Sequence, residues 1–485
     1  MLKKQLNRYH AFPVQVKASI WFLLCSFLQK GISFLATPIF TRLLTTAEYG
    51  QFNVFQSWHG IISIIVTLNL AYGVYTQGLI KFDKDRAVIS SSLQGLTLLL
   101  CSFWAIVYFL TRGLWNRLFH LSTVQMLSMF LMTWTTAVYS FWAASERVQY
   151  RYKKLVLLTL LVSAAKPVIE ILLVRSAADK VTARVIGIVA AELAGYAWLF
   201  FVQLRKGKVF FSRQYWRYAI LFNLPLLLHY LSQTVLSSSD RIMIERMVGD
   251  SAAGIYGLGY SVAGIMLIFN TALSQTMSPW MYQRIKDHCA GEIEHIAFIC
   301  IMIIAGANLL LILIAPEAVK LFAPPSYYDA VWTIPPVAMS CLFLFSYDLF
   351  AKFEFYYEKT HYIMIASLGG AILNIALNAV FIRAFGYIAA AYTTLACYMI
   401  YSFAHYCMMN RVCRNYLNGI RPFSLKKLLL IYGAFLFVGF IFVLTYPYSW
   451  IRYGLIVLSA LIAFIYRKKL ASVASMFLKI RKAKR

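Results

Sequence analysis

The chain has 485 residues, of which 61% are apolar and only 13% are charged. Soluble domains contain about 45–50% apolar and about 25% charged residues, so this chain has too few charges to cover a water-facing surface. A globular enzyme with a single anchor is therefore excluded, and a polytopic membrane protein is indicated. The 46 Lys and Arg residues outnumber the 18 Asp and Glu residues and give a net charge of +28. That charge alone is compatible with nucleic acid, a membrane surface or an anionic substrate as partner.

Apolar windows long enough to cross a bilayer follow one another along the chain. Continuous windows of this length are typical of helices, whereas membrane strands are about ten residues long with alternating hydropathy. We therefore predict an all-α bundle of about 14 transmembrane helices. The predicted spans are residues 16–38, 51–72, 88–110, 124–144, 155–174, 183–204, 217–239, 252–273, 294–315, 330–350, 361–382, 387–408, 427–446 and 450–467. A twelve-helix bundle with a re-entrant C-terminal segment is the alternative, because the last two windows are nearly continuous.

The basic residues between these spans are unevenly distributed. With the N-terminus inside, and with residues in the first or last three positions of a span counted with the adjoining loop, the cytoplasmic segments contain 33 of the 46 Lys and Arg residues, the outer loops contain 11, and two lie deeper within spans. Loops rich in Lys and Arg remain cytoplasmic, so both termini are predicted to lie in the cytoplasm. Much of the charge lies beside the membrane, as in the tail at residues 467–469 and 479–485. This placement favours contact with anionic membrane lipids and disfavours a nucleic-acid partner.

Neither a cleavable signal peptide nor a cofactor motif is apparent. The first apolar window is too long for the core of a signal peptide. The glycine-rich loop that binds ATP phosphates is missing, and the eight cysteines lack metal-ligand spacing. We therefore predict no cofactor, no metal site and no catalytic residues.

Two groups of residues recur in the second half of the chain at nearly constant offsets. An Arg, a Gly and an aromatic residue recur 204 residues later, as Arg42, Gly50 and Phe52 and then Arg246, Gly254 and Tyr256. Two polar positions four residues apart recur 208 residues later, as Lys166 and Glu170 and then Asn374 and Asn378. Six spans separate the copies, so both halves keep the same orientation. This predicts two six-helix bundles related by a parallel repeat, at residues 1–210 and 211–410, followed by a helical pair and basic tail at residues 411–485.

These segments resemble the Wzx-type polysaccharide repeat-unit flippases of the multidrug/oligosaccharidyl-lipid/polysaccharide (MOP) exporter superfamily. The resemblance covers about residues 10–410. Its motifs are PIFTRLL and AEYG at residues 38–50, SDRIMI and GIY at residues 239–256, and two Leu-Asn pairs followed by FG and AAA at residues 373–391. The resemblance implies a V-shaped, MATE-like fold, alternating access and a bacterial cytoplasmic (inner) membrane. It also implies an undecaprenyl-diphosphate-linked oligosaccharide as cargo, such as an O-antigen repeat unit, and polysaccharide polymerase machinery as a partner.

Moving a diphosphate and its sugars across hydrocarbon requires a wet, polar and preferably cationic cavity. Lys30 and Lys166 lie within predicted spans, where a lone Lys costs about 2.5–3.5 kcal/mol and is expected to face water or a partner. As a compact charge, Lys suits a diphosphate. Arg42 and Arg241 lie at outer helix ends, where they are candidates either for bidentate phosphate contacts or for ion pairs with neighbouring carboxylates.

Two carboxylates within the spans are candidates for proton or ion coupling. Glu170 lies one turn after Lys166, and either an intrahelical ion pair or a proton-linked exchange of partners fits this spacing. Glu192, in the next span, has no partner nearby in the sequence. Three intramembrane histidines are further candidates for proton transfer or are satisfied polar residues: His59, His229 and His405. Two carboxylates near the inner end of the tenth span are expected to be solvated: Asp348 and Glu354.

Two other functions remain open at this point. An integral-membrane polymerase or ligase acting on the same lipids requires a sizeable catalytic outer loop, and the predicted outer loops are short. A cation-coupled small-molecule exporter of the same superfamily is disfavoured by the first span, which contains Lys30 and no carboxylate. A flippase, rather than an enzyme, is the preferred hypothesis.

Overall fold

The computed structural model describes residues 13–465 and residue 467, and over these residues the protein forms 17 α-helices and no strand. The helices are α1 Val14–Leu43, α2 Thr46–Thr67, α3 Val74–Lys81, α4 Arg86–Phe119, α5 Thr123–Val148, α6 Tyr152–Ser176, α7 Lys180–Gly207, α8 Arg213–Met247, α9 Asp250–Ala263, α10 Ile265–Lys286, α11 Ile293–Leu313, α12 Ala315–Phe322, α13 Ile334–Tyr356, α14 Thr360–Phe385, α15 Ala389–Tyr416, α16 Leu425–Leu444 and α17 Ser449–Ile465. Most of the predicted basic tail, residues 468–485, lies outside the described residues.

Ten helical segments in the described part of the chain are long and apolar enough to cross a membrane. They comprise α1, α4, α6, α7, α8, α9 with α10, α11, α13, α14 and α16. The chain is therefore a multi-span, all-α membrane protein. Each predicted span overlaps a helix, and four predicted spans correspond to helices outside the ten segments, namely α2, α5, α15 and α17. Helices α2, α5 and α15 contain hydroxyl and amide side chains that lower their mean hydropathy. Helix α17 is only 17 residues long.

Two helices of the first half begin at reciprocal side-chain caps. At the start of α2, the Thr45 hydroxyl accepts from the Glu48 backbone N–H at 3.2 Å, and the Glu48 carboxylate accepts from the Thr45 N–H at 2.7 Å. Ser122 and Gln125 form the same arrangement at the start of α5. Each cap satisfies two backbone donors that have no partner within the helix.

The internal contacts divide the chain into two compact units, Met1–Glu245 and Arg246–Arg485. In the first unit, α7 packs against α4, α5 and α6, so polar side chains on α7 are directed into protein rather than lipid. Helix α1 packs mainly against α6 and leaves most of its surface exposed.

In the second unit, α13 is almost wholly enclosed by α10, α11 and α15, and α14 packs against α15. The C-terminal pair α16 and α17 joins this unit at α11 and α12. The Tyr446 hydroxyl donates to the Ile312 carbonyl at 2.7 Å, and the Arg452 guanidinium pairs with the Glu317 carboxylate. Arg452 also donates to the Tyr446 carbonyl at 2.9 Å and is 1% exposed.

The internal repeat is visible in the turns between helices. Tyr150 and Glu358 are related by the same offset as Lys166 and Asn374, and both have a left-handed φ of 55°. At the following residue, the Arg151 N–H donates to the Glu146 carbonyl at 2.8 Å, and the Lys359 N–H donates to the Glu354 carbonyl at 2.9 Å. The offset that relates Arg42 to Arg246 also relates the ends of α1 and α8 and the starts of α2 and α9. The helix boundaries and turns of the two halves therefore recur at the offsets predicted from the sequence.

Candidate functional site

Four charged side chains of α6 and α7 form two ion pairs inside the first unit. The Arg184 Nε lies 3.1 Å from the Glu170 carboxylate, and the Lys166 Nζ lies 2.5 Å from the Glu192 carboxylate. Glu170 and Glu192 are 8% and 4% exposed at their side chains. Charges this deeply buried are stable only when they are paired, so the two helices are joined by mutually dependent interactions.

A close approach of the two helices brings these charges together. A Cβ atom added at Gly187 of α7 would lie 2.8 Å from the Glu170 Cα of α6. Gly187 begins a stripe of small residues on α7 that continues through Ala191 to Gly195, which faces Val162 of α6. Small residues spaced four apart allow helix backbones to approach closely in membranes. The stripe therefore positions Glu170 beside Arg184, which lies one turn from Gly187.

Arg184 is also held by two aromatic rings. Its guanidinium carbon lies 3.7 Å from the ring centre of Phe40 on α1 and 3.6 Å from that of Phe52 on α2. Stacking of a desolvated guanidinium on an aromatic face contributes up to about 2 kcal/mol. Arg184 thus joins α1, α2, α6 and α7, which favours a fixed structural position for the Arg184–Glu170 pair.

The Lys166–Glu192 pair is more accessible and more densely hydrogen-bonded. Lys166 is 27% exposed at its side chain, whereas Arg184 is 10% exposed. The Glu192 carboxylate also accepts from the hydroxyls of Thr135 and Thr136 on α5, at 2.9 and 3.2 Å. The Glu192 carboxylate therefore has two hydroxyl donors that do not depend on Lys166.

One interpretation of these residues from the sequence is corrected by the contacts. The intrahelical pair between Lys166 and Glu170 is not formed as an ion pair; each residue instead pairs with α7. Glu192, which has no partner nearby in the sequence, is satisfied by α5 and α6. Arg184 was missed altogether because it lies in the first turns of α7, where a basic residue is expected to be interfacial. The small residues spaced four apart, at Gly187, Ala191 and Gly195, are the sequence pattern that predicts a close α6–α7 contact.

Lys30 lies apart from these pairs, on a polar stripe of α1. The stripe consists of Ser19, Ser26, Lys30, Ser33 and Thr37. At about 100° per residue these positions fall within about 60° of arc, and all but Thr37 are exposed. Ser19, Ser33 and Thr37 donate to carbonyls four residues earlier in their own helix. Within the described part of the chain, Lys30 has neither a hydrogen bond nor an ion pair.

The repeat places a second polar stripe on α8. The offset from Arg42 to Arg246, applied to Ser26, Lys30, Ser33 and Thr37, gives Tyr230, Thr234, Ser237 and Arg241. Arg241 thus lies on the repeat-related face, about two turns nearer the helix end than the position equivalent to Lys30. Its guanidinium donates to the Ser237 carbonyl at 3.2 Å, and Arg42 donates similarly to the Pro38 carbonyl at 2.8 Å. The two arginines therefore lie near the outer ends predicted for α8 and α1, separate from the α6–α7 ion pairs.

At the repeat-related position, the second unit holds a neutral cluster. The Asn378 amide donates to the Asn374 side-chain oxygen at 3.2 Å, and the Thr393 hydroxyl donates to the Asn378 side-chain oxygen. Asn374 also lies 3.5 Å from the Thr394 hydroxyl. All four residues are buried. The α14–α15 contact is therefore polar, like the α6–α7 contact at the equivalent position. Its side chains are neutral, whereas those of α6 and α7 are charged.

The two carboxylates toward the C-terminal end of α13 are not simply solvated. Asp348 pairs with Lys352 at 2.7 Å and accepts from the Ser274 hydroxyl at 2.5 Å. The expectation for Glu354 is wrong, because its side chain is 0% exposed and lies 2.8 Å from the His405 Nδ1 of α15. The imidazole of the neighbouring helix covers what would otherwise be a hydrated helix end.

The fold and the site define a polytopic, all-α membrane protein with buried ion pairs and polar stripes on its long apolar helices. The sequence model of the family described as "Polysaccharide biosynthesis protein" matches residues 16–284, more than half of the chain, and the chain belongs to this family. A MatE model matches residues 225–380.

The chain is also similar to a curated protein and to solved structures. The chain is 22% identical over 378 residues to the Lsg locus putative protein 1 of Haemophilus influenzae, covering 74% of this chain and 89% of that protein. The fold is similar to that of the lipid II flippase MurJ in an inward closed conformation, with a TM-score of 0.64, 15% identity and coverage of 93% of this chain and 100% of MurJ. It is also similar to an inward-facing multidrug resistance MATE family transporter of the MOP superfamily, with a TM-score of 0.61, 12% identity and coverage of 79% and 95%.

Proposed function

We propose that the protein is a flippase for an undecaprenyl-diphosphate-linked oligosaccharide, the repeat unit of an O-antigen or a similar surface polysaccharide. It moves this lipid from the inner to the outer leaflet of the bacterial cytoplasmic membrane. The observation that most supports the proposal is the exposed Lys30 on the polar stripe of α1, in a chain of a polysaccharide biosynthesis family. Similarity of fold to a lipid II flippase adds support.

The chemistry of the α1 stripe suits the head group of such a lipid. A lone Lys facing hydrocarbon costs about 2.5–3.5 kcal/mol, so this face is better accommodated against water or an anionic group. Lys30 supplies a compact positive charge for the diphosphate, and the neighbouring serines supply hydroxyls for sugars and phosphate oxygens. The hydrocarbon tail meanwhile remains in lipid, where it requires no polar partner.

The other cations act at different stages of the same passage. Lys166, once released from Glu192, is the second cation available to the diphosphate. Arg42 and Arg241, near the outer helix ends, hold the phosphates before release, since guanidinium groups form bidentate phosphate contacts. Residues 1–210 and 211–410 rock against each other between inward-open and outward-open states, as expected for a parallel-repeat transporter.

Coupling to an ion gradient is assigned to the carboxylates of α6 and α7. Glu192 exchanges Lys166 for a proton or cation while Thr135 and Thr136 continue to donate to it. Glu170 is able to bind a proton or cation only if Arg184 moves away from the rings of Phe40 and Phe52. Of the two carboxylates, Glu170 is therefore the one that exchanges its partner less readily. In this proposal the basic loops hold both termini on the inner side, and the cargo is taken up from that side.

The proposal is tested in cells that make the lipid-linked repeat unit but lack this protein. We expect the unit to accumulate without being polymerised and to be inaccessible to a membrane-impermeant label added outside. Expression of the protein restores labelling from outside, and polymerisation by its partner machinery follows. If the unit is labelled from outside without the protein and only its elongation fails, the polymerase hypothesis is correct instead.

A further inference from the structure

The second predicted span is interrupted between α2 and α3. Leu68 and Asn69 follow the end of α2 with left-handed φ angles of 50° and 51°, and Gly73 precedes α3 with a φ of 71°. A left-handed backbone is disfavoured for a side chain such as that of Leu. In the second half, the residues at the repeat offset of 204 are 272–277, and they lie inside the continuous helix α10. The repeat itself therefore does not require the break.

The break leaves backbone carbonyl oxygens at the end of α2 without donors. The last carbonyls of a helix have no partner within that helix. The Thr67 carbonyl accepts from the Leu70 N–H at 3.2 Å, whereas the carbonyls of Ile65 and Val66 accept no hydrogen bond within the described part of the chain. Val66 and Leu70 are 2% and 0% exposed. The negative end of the α2 dipole thus lies among buried residues with acceptors to spare.

Asn223 of α8 adds a side-chain oxygen at the same break. Its amide nitrogen donates to the Leu68 carbonyl, and the residue is 0% exposed. Its Oδ1 is buried and has no hydrogen-bond partner among the residues that the structure describes. The apolar cluster around the break, which includes Leu70 and Ala219, supplies no donor. An amide oxygen buried in this way is costly unless something binds it.

The oxygens at the break suit an alkali cation. Those of Ile65, Val66 and Asn223 are neutral acceptors, and residues 61–80 and 213–239 contain neither Asp nor Glu. Calcium and magnesium ions bind mainly through carboxylates, which these two segments lack. An anion is repelled by the negative end of a helix dipole. In transporters, unwound backbone carbonyls and the C-terminal ends of interrupted helices are the groups that coordinate Na⁺.

We propose that the break between α2 and α3 is a binding site for a monovalent alkali cation, held by the Asn223 Oδ1 and the carbonyls at the end of α2. Leu68 and Asn69 are only partly buried, which gives the ion a path of entry. Such a site leaves no metal-ligand motif in the sequence, because most of its ligands are backbone atoms. Binding of the cation here does not depend on the flippase function proposed above.

Cation binding is measured on the full-length protein in lipid nanodiscs, by uptake of radioactive Na⁺ and by thermal unfolding. Choline chloride is replaced by NaCl or KCl at constant ionic strength. We expect the unfolding midpoint of the wild type to rise with the concentration of Na⁺ or K⁺, because the ion binds the folded state, and not with that of choline. A midpoint that responds to neither ion, with no bound Na⁺, overturns the proposal and assigns the free acceptors to water.

Substitution of Asn223 locates the site. Asn223→Leu removes a ligand and should lower the affinity for the cation at least about tenfold, since loss of an outer-shell partner alone costs a metal site about 10- to 100-fold. Asn308→Leu in α11 is the matched control and should bind as the wild type does. Asn308 is also 0% exposed, and its Oδ1 has no partner in the described part of the chain.

Asn223→Asp keeps the test decisive if the Leu variant does not fold. The aspartate retains a side-chain oxygen and adds a negative charge, so the affinity for the cation should rise. Wild-type affinity in Asn223→Leu, or reduced affinity in Asn223→Asp, overturns the proposal. Loss of all binding in a folded Glu192→Gln protein also overturns it, because the ion then binds at the Glu192 carboxylate instead.

Discussion

Lys166 of α6 and Glu192 of α7 are joined by a 2.5 Å contact between Nζ and Oε1, although 26 residues separate them in the chain. The pair replaces the intrahelical contact that the sequence favoured and leaves Glu170 to Arg184. Two ion pairs therefore cross between the same two helices, one held by aromatic rings and one by threonine hydroxyls. The two pairs therefore depend on different neighbours, and single substitutions should affect them differently.

Removal of Lys166 should cost more than removal of the whole pair. Lys166→Met leaves the Glu192 carboxylate buried without a cation, a change that costs up to about 3–5 kcal/mol in a buried pair. The expected loss of unfolding free energy lies at the lower end of this range, because Lys166 is partly exposed and two threonine hydroxyls still donate to Glu192. Lys166→Met/Glu192→Met should recover most of it, as measured by unfolding of the purified protein in detergent. Strictly additive losses in this double-mutant cycle contradict a direct pair.

Arg184 should not be replaceable by lysine. Arg184→Lys keeps a charge near Glu170 but loses the planar stacking on Phe40 and Phe52, so we expect a loss of about 1–2 kcal/mol. Arg184→Gln also leaves Glu170 without a cation and should lose about 3–5 kcal/mol. The checking measurement is thermal unfolding of both variants beside Phe52→Leu. The stacking account fails if the loss of stability in the double variant Phe52→Leu/Arg184→Lys equals the sum of the two single losses.

Gly187 should tolerate no side chain, because its Cβ would meet the backbone of α6 at 2.8 Å. Gly187→Ala is expected to lower stability by about 1–3 kcal/mol, as overpacking does elsewhere, and to weaken the Glu170–Arg184 contact. Gly306→Ala in α11 is the matched control, since a Cβ there meets nothing within 4 Å. The control should be neutral or stabilising by up to about 1 kcal/mol. Equal behaviour of the two variants in thermal unfolding argues against the close approach.

Arg452 should hold the C-terminal helical pair to the second unit. Arg452→Met removes the contacts to Glu317 and to the Tyr446 carbonyl, and each hydrogen bond to a charged group is worth about 1.5–3 kcal/mol. Glu317→Gln keeps the Tyr446 bond and should have the smaller effect. Limited proteolysis at residues 445–448, between α16 and α17, is the direct measurement. Similar cleavage of the wild type and Arg452→Met shows that Arg452 does not hold the pair to the unit.

The spans and the repeat were predictable because they depend on local hydropathy and fixed offsets. The partners of the buried charges were not predictable, because they lie on other helices and depend on how the helices pack. Lys166 and Glu170 satisfy the i, i+4 rule equally well whether or not α7 competes for them. Glu354 looked like a hydrated helix end because His405, which covers it, lies 51 residues later. The polar stripe of α1 is visible in the sequence from its spacing. The sequence does not show whether the stripe is buried against another helix or exposed, and the structure shows that Lys30 is exposed.

Flipping by purified protein tests the central claim most directly. Vesicles containing the labelled lipid-linked oligosaccharide are prepared with wild type, Lys30→Gln, Lys30→Arg or the exposed-lysine control Lys320→Gln, and the label in the outer leaflet is followed over time. Loss of a charge-assisted contact of about 1.5–3 kcal/mol predicts a rate that is roughly 10- to 150-fold lower for Lys30→Gln. Lys30→Arg should retain most activity and Lys320→Gln all of it. A wild-type rate in Lys30→Gln contradicts the cationic path, and an unchanged leaflet distribution with wild-type protein contradicts the flippase itself.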